Sequence, residues 1–201
     1  MTSPMYGGML PVNDDWDASW NGVDAGAVVK PDEQSDAWTE HQAGSGAATL
    51  DGAILETSTP SGSDGMYYEK AASALTYASG AVIEARVLVE ASSGDVDTGV
   101  LLCINAGECQ HRLWLRTDGL NIDGFAEVAY DLTGWHRIRL AAYGIDSKVY
   151  LDDNLVAEGH LSALTDTSSV LFGSVAGHGY GIAQWQYVRA RDFSDWEELE
   201  E

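Results

Sequence analysis

"GWHRIRLAAYGIDSKVYLDDNLVAEG", residues 134–159, sets a tryptophan, a histidine and two arginines among evenly spaced apolar residues. The polar types are raw material for a catalytic or binding site, but the spacing is that of a strand, whose side chains alternate between two faces. Over 135–143 the alternation puts His136, Ile138, Leu140 and Ala142 on one face and Trp135, Arg137, Arg139 and Tyr143 on the other. The next run repeats it, with Val149 and Leu151 against Lys148 and Tyr150. Asp152, Asp153 and Asn154 follow, residues that tolerate the backbone of a tight hairpin. A slip of one residue would expose every apolar side chain, so the register is firmly specified. The stretch reads as architecture: a hairpin with one buried face, arginines on the other, and His136 at the edge of the core.

Similar short runs recur on both sides of this hairpin, at 48–59, 65–71, 80–91, 98–105, 108–117, 124–132, 168–174 and 181–193, separated by turn residues. No long window keeps a helical period. Many short strands without alternating helices predict an all-β, antiparallel sandwich or barrel. Residues 1–13, with Pro4, Gly7, Gly8 and Pro11, read as an extended arm. Residues 14–193 form the β domain, and its turn-rich beginning carries Trp16, Trp20 and Trp38. The acidic end, "SDWEELEE" (194–201), is a tail or a short helix, with Ser194 as cap and Glu197 at the capping-box position.

The hairpin at 134–159 resembles the paired strands of laminin-G-like domains in the concanavalin A-like lectin/glucanase superfamily. "ATLDGAILETSTPSGSDGMYYEK" (48–70) is similar to the early hairpin of those domains, "GAVIEARVLVE" (80–90) to the long strand after it, and "WQYVRARDF" (185–193) to the closing strand. The resemblance implies a jelly roll of two curved sheets, with any ligand on the concave face or in the rim loops.

The chain has 201 residues, enough for one domain with a real core. Its 32 acidic and 10 basic residues give a net charge of −22, which repels nucleic acid and anionic membranes, so neither is expected as a partner. Abundant Asp and Glu with only three lysines suit a protein adapted to high salt. No run approaches the roughly 18 apolar residues of a membrane span. The first twenty residues have no basic n-region and no apolar h-region, so no secretory signal is visible.

Catalytic patterns are missing. The glucanase branch of the resembled superfamily uses Glu-x-Asp-x-x-Glu, which sets two carboxyls about 5 Å apart as retaining hydrolysis requires. No such motif occurs; Glu84 and Glu90 share a strand face, but six residues separate them by roughly 20 Å. Gly-x-Ser-x-Gly is absent, and His111, His136, His160 and His178 are scattered without metal-ligand spacing. The expected protein is not an enzyme and requires no cofactor.

"VAGHGYGIAQW" (175–185) is the candidate ligand-binding loop: its glycines give backbone freedom, and His178, Tyr180 and Trp185 supply polar and stacking groups for a glycan. Trp114 and Tyr68 would join that surface if they point outward. "SSGDVDTG" (92–99) places Asp95 and Asp97 as hard oxygen ligands in a loop, a candidate calcium site. Cys103 and Cys109 flank "INAGE" symmetrically; a hairpin around Asn105, Ala106 and Gly107 would bring their thiols face to face for a disulfide. The expected function is that of a non-catalytic, lectin-like protein on a virion surface, a capsid decoration, turret, tail or spike. There it would stabilise the particle or bind host glycan, attach to other subunits through the arm or the tail, and form a homo-oligomer. The alternative is an extracellular or cell-surface carbohydrate-binding module, or the accessory domain of a carbohydrate-active enzyme.

Overall fold

A computed structural model describes residues 16–71, 80–95, 97–122, 126–160, 163–164 and 167–193; the expected arm (1–13) and terminal helix or tail (194–201) lie outside them. In chain order the strands are β1 (Ala18–Trp20), β2 (Val23–Asp24), β3 (Ala27–Val28), β4 (Thr39–Ala43), β5 (Ala47–Asp51), β6 (Ile54–Thr59), β7 (Gly65–Ala71), β8 (Gly80–Ser92) and β9 (Val100–Ala106). They continue with β10 (Cys109–Arg116), β11 (Gly119–Ile122), β12 (Ala126–Ala129), β13 (His136–Tyr143), β14 (Asp146–Leu151), β15 (Asn154–His160), β16 (Ala163–Leu164), β17 (Ser168–Ser174) and β18 (Gly181–Phe193). Two antiparallel sheets hold nearly all of them. Sheet I runs β15-β14-β13-β8-β18-β6-β5, with β1 also on β18; sheet II runs β12-β11-β10-β9-β17-β7-β4, with β16 also on β10. Strands β2 and β3 make a separate ribbon. No helix occurs among the described residues.

The opening hairpin forms as its pattern requires. Leu151 pairs with Asn154, and Asp152 and Asp153 both take positive φ (47° and 69°), the left-handed pair of a two-residue turn. The Asp152 carboxylate then accepts the Arg137 N–H at 2.9 Å and bonds His136 Nδ1 at 2.7 Å, which fixes the turn against the start of β13. Ile138, Leu140 and Ala142 enter the core, and His136 stays at its edge.

Between the sheets lies one apolar cluster whose largest members are aromatic. Phe172 of β17 meets Trp185 of β18 edge-on at 5.0 Å and Trp38 edge-on at 5.2 Å, and stacks on Tyr68 at 5.4 Å. These geometries suit the ring quadrupoles. Trp185 donates its Nε1–H to Thr57 Oγ1 at 2.9 Å, so its one polar atom is satisfied inside the core. His111 of β10 crosses the sandwich to sheet I, with Nδ1 at 2.6 Å from Ser147 Oγ and Nε2 at 3.1 Å from the Gly144 carbonyl. It acts as a polar rivet between sheets, not as part of a site.

The cysteine hairpin turns elsewhere than expected. Ala106 pairs with Cys109 around a two-residue turn at Gly107–Glu108, which puts Cys103 opposite Arg112. Cys103 therefore points to the outer side of sheet II with Leu101 and Trp114, and Cys109 to the other side. No disulfide joins Cys103 to Cys109. The symmetric spacing misled because moving the turn shifts the register by three residues, and an odd shift flips the face.

Candidate functional site

Two loops close one end of the sandwich: residues 93–95 and 97–99, leading into β9, and residues 175–180, leading into β18. They pack backbone to backbone, with Ser93 N–H donating to the Tyr180 carbonyl at 2.9 Å and Gly99 N–H to the His178 carbonyl at 3.0 Å. Their bases are riveted by a buried chain of hydroxyls. Gly181 N–H donates to Thr59 Oγ1 (2.9 Å), Thr59 and Ser174 hydroxyls lie 3.0 Å apart, and Ser174 Oγ–H donates to the Gly99 carbonyl (2.9 Å). A third loop joins them, since Gly177 N–H donates to the Gly62 carbonyl at 2.7 Å. That loop is in turn held by Asp64, whose carboxylate accepts the Ser45 and Ser61 N–H groups and the Ser61 hydroxyl at 2.8–3.0 Å. Hydrogen bonds from the Ser45 N–H, then from the Ser61 hydroxyl, keep the Asp64 carboxyl below the usual carboxylate range.

Gly179 lets the loops touch. Its φ is +74°, and a Cβ there would fall 1.9 Å from Ser93 Oγ. His178 bends over the outer face of sheet II, its ring centroid 4.9 Å from that of Trp114 and its Nδ1 3.3 Å from the Asp97 carbonyl oxygen. Trp114 is fully buried although it points away from the core, and its Nε1 has no hydrogen-bond partner. Arg112 lies over the same ring at 5.9 Å. Tyr180 is 40% exposed, the one large aromatic that this rim offers to solvent.

Of the residues expected at the binding site, His178 and Tyr180 are here, and the Asp95–Asp97 loop packs beside them. Trp185 is not: it is fully buried between the sheets, four positions beyond the glycine that starts β18. Tyr68 likewise faces the core, while Trp114 faces outward beneath His178. The Asp97 Oδ1 atom is buried without a partner, and Asp97 has φ +58°. The described residues nonetheless hold no group of three ligating side chains. The nearby Asp95 carbonyl is engaged by Thr98 Oγ1, so Asp95 and Asp97 fall short of the roughly six to eight oxygens calcium takes.

Glu84 and Glu90 share the outer face of sheet I but not a site. Glu84 has no exposed surface; it accepts from Arg189 Nη2 at 2.7 Å, Tyr187 Oη at 2.9 Å and Arg139 Nε at 3.2 Å. Burial, then the Glu84 charge, pushes the Tyr187 phenol well above its ordinary value. Glu90 is exposed and bonds Gln184. A carboxylate held by two guanidiniums is a structural counter-ion, and Glu90, further along the same strand face, bonds Gln184 instead of sharing acid–base work with it.

No family model and no curated protein matches the chain. Solved structures do. A sialidase aligns with a TM-score of 0.56 and 16% identity over 80% of this chain and 17% of its own. The binding domain of botulinum neurotoxin DC in complex with rat synaptotagmin II aligns at 0.56 and 8% identity, over 89% of this chain and 48% of that one. The same toxin's binding domain in complex with SialylT aligns at 0.55 and 8%, over 94% and 50%. The chain thus spans a sixth of the sialidase and about half of the toxin domains. At these identities the likeness is one of fold: a two-sheet β-sandwich.

Proposed function

We infer that this β-sandwich is a non-catalytic, lectin-like module that binds carbohydrate at the rim formed by residues 93–95, 97–99 and 175–180. One observation carries the reading: exposed Tyr180 stands beside His178, and His178 covers a buried indole whose Nε1–H has no partner. An aromatic face next to convergent polar groups is what a sugar requires, with apolar C–H surface on one side and hydroxyls on the other. The fold gives support, because it is shared with a toxin binding domain held in complex with SialylT. The strand order, with β13, β14 and β15 consecutive at one end of sheet I, suits a concanavalin A-like jelly roll.

A glycan array probed with the protein tests this, run with calcium and again with chelator. Binding of at least one glycan, weakened about tenfold by Tyr180→Ala or His178→Ala, supports the reading. Silence across the array, or binding indifferent to both substitutions, overturns it. Loss of binding with chelator would mean that the glycan is held through a divalent cation. The proposal extends to a place on a virion surface, which an acidic exterior of net charge −22 would keep soluble in salt. Neighbouring genes for capsid or tail proteins support that placement; a sugar-utilisation cluster favours an extracellular accessory module.

A further inference from the structure

Five of the seven arginines in this acidic chain, Arg86, Arg137, Arg139, Arg189 and Arg191, stand on the outer face of sheet I. Strand pairing arranges four of them in a grid. In one row Arg137 lies opposite Arg86, and Arg86 opposite Tyr187; in the next, Arg139 lies opposite Glu84, and Glu84 opposite Arg189. Glu84 is fully committed, Oε1 to Tyr187 and Arg189, Oε2 to Arg139. Arg137 reaches sideways to Asp153 in the hairpin turn. The Arg86 side chain, half-buried between Arg137 and Tyr187, has no hydrogen bond or ion pair among the described residues. Two arginines directly opposite each other on paired strands repel. An anion seated between them would relieve that repulsion, and a guanidinium fork fits a carboxylate.

We propose that Arg86 and Arg137, flanked by the Tyr187 ring, bind a single carboxylate carried on an acidic sugar. The surroundings select the ligand. The basic centre is bordered by acids, Glu56 and Glu90 toward one end and Glu158 beyond Lys148. A polyanion would lay its further charges against that border. A sugar with one carboxylate and otherwise neutral hydroxyls meets attraction at the centre and hydrogen-bonding groups around it. This site is on the other sheet from His178 and Tyr180 and does not rest on the reading of that rim.

The test is an NMR titration of the full chain with methyl β-D-glucuronide and, separately, with its uncharged counterpart, methyl β-D-glucoside. Wild type is expected to bind the glucuronide at least tenfold more tightly than the glucoside. Arg86→Gln and Arg137→Gln should each bring that ratio close to one, while Lys148→Gln, the same charge change at the margin, leaves it in place. Equal binding of both sugars by wild type overturns the proposal, as does a ratio that survives Arg86→Gln. So does a dimer abolished by Arg86→Gln without any response to glucuronide, since the face would then belong to a second copy of this chain.

Discussion

The outer faces of the two sheets were built from the same alternation and ended as opposites. On sheet II, Leu101, Cys103 and Trp114 form an apolar patch with Leu171 and Val175, and His178 lies over it. On sheet I, the equivalent surface carries five arginines, two of them on a fully buried glutamate, with Arg189 also resting on the Trp16 ring at 4.3 Å. One face excludes water with a loop, the other with its own charges. Burial on an outer face therefore has two causes here, and substitutions should tell them apart.

The largest effects come from the centres of the two faces. Trp114→Ala should cost about 3–5 kcal/mol, as deletion of a buried aromatic does. Glu84→Gln should cost a similar amount, about 3–5 kcal/mol, because it leaves Arg139 and Arg189 facing each other without their counter-ion. A second substitution separates the two cases. Arg189→Met in the Glu84→Gln chain removes a stranded cation and should recover part of the loss, whereas His178→Ala in the Trp114→Ala chain should recover nothing. Denaturant unfolding of the four chains measures this, and the contrast fails if Arg189→Met only adds to the damage.

Next in size is the joint between the rim loops. Gly179→Ala introduces a Cβ 1.9 Å from Ser93 Oγ at a φ of +74°. The strained backbone alone costs about 1–3 kcal/mol, and the contact must also be relieved by moving the loops apart. Adding Ser93→Gly removes the nearest collision but not the strain, so the double variant should sit between wild type and Gly179→Ala. Thermal unfolding gives the order, and glycan binding should fall with it, because His178 is carried on the displaced loop. Equal stability of all three would mean that the loops do not depend on this contact.

How far these features were legible in the sequence follows from the range of the interactions. The runs at 168–174 and 181–193 match β17 and β18 to the residue, because local alternation and turn residues delimit them. The hairpin at Asp152–Asp153 was legible for the same reason. "VLLCINA" was legible as a strand but not as one buried on both faces, since a continuous apolar run does not say what covers its second side. Trp185 and Tyr180 belong to one glycine-rich stretch, and only the start of β18 at Gly181 decides that one is core and the other surface. Arg137 and Arg139 were readable as facing away from the core, on the face they share with the other sheet I arginines. Their convergence was not, because β8 sits between β13 and β18, and that neighbourhood is a property of topology. The run "SGSDG" around Asp64 shows only turn composition, because the partner of Asp64, Ser45, lies 19 positions away.

The smallest expected effect, and the one with a definite sign in pH, concerns Asp64. Its carboxyl is held below the ordinary range by the Ser45 N–H, then by the Ser61 hydroxyl. A depressed folded-state pKa means that the ionised form is the stabilising one. The contribution is fully present above the unfolded-state value of about 3.9 and disappears as pH falls through the lower folded-state value. Asp64→Asn should therefore lower Tm at pH 7, and the gap from wild type should narrow as pH falls below about 3.9. The loss of other carboxylates in acid is common to both chains and cancels in the difference. A gap that stays constant across this range would mean that the loop is held by the shape of the side chain, not by its charge. The joint between the 61–64 loop and the rim would then owe nothing to electrostatics, and the arginine face of sheet I would be the only place in the comparison where charge governs structure.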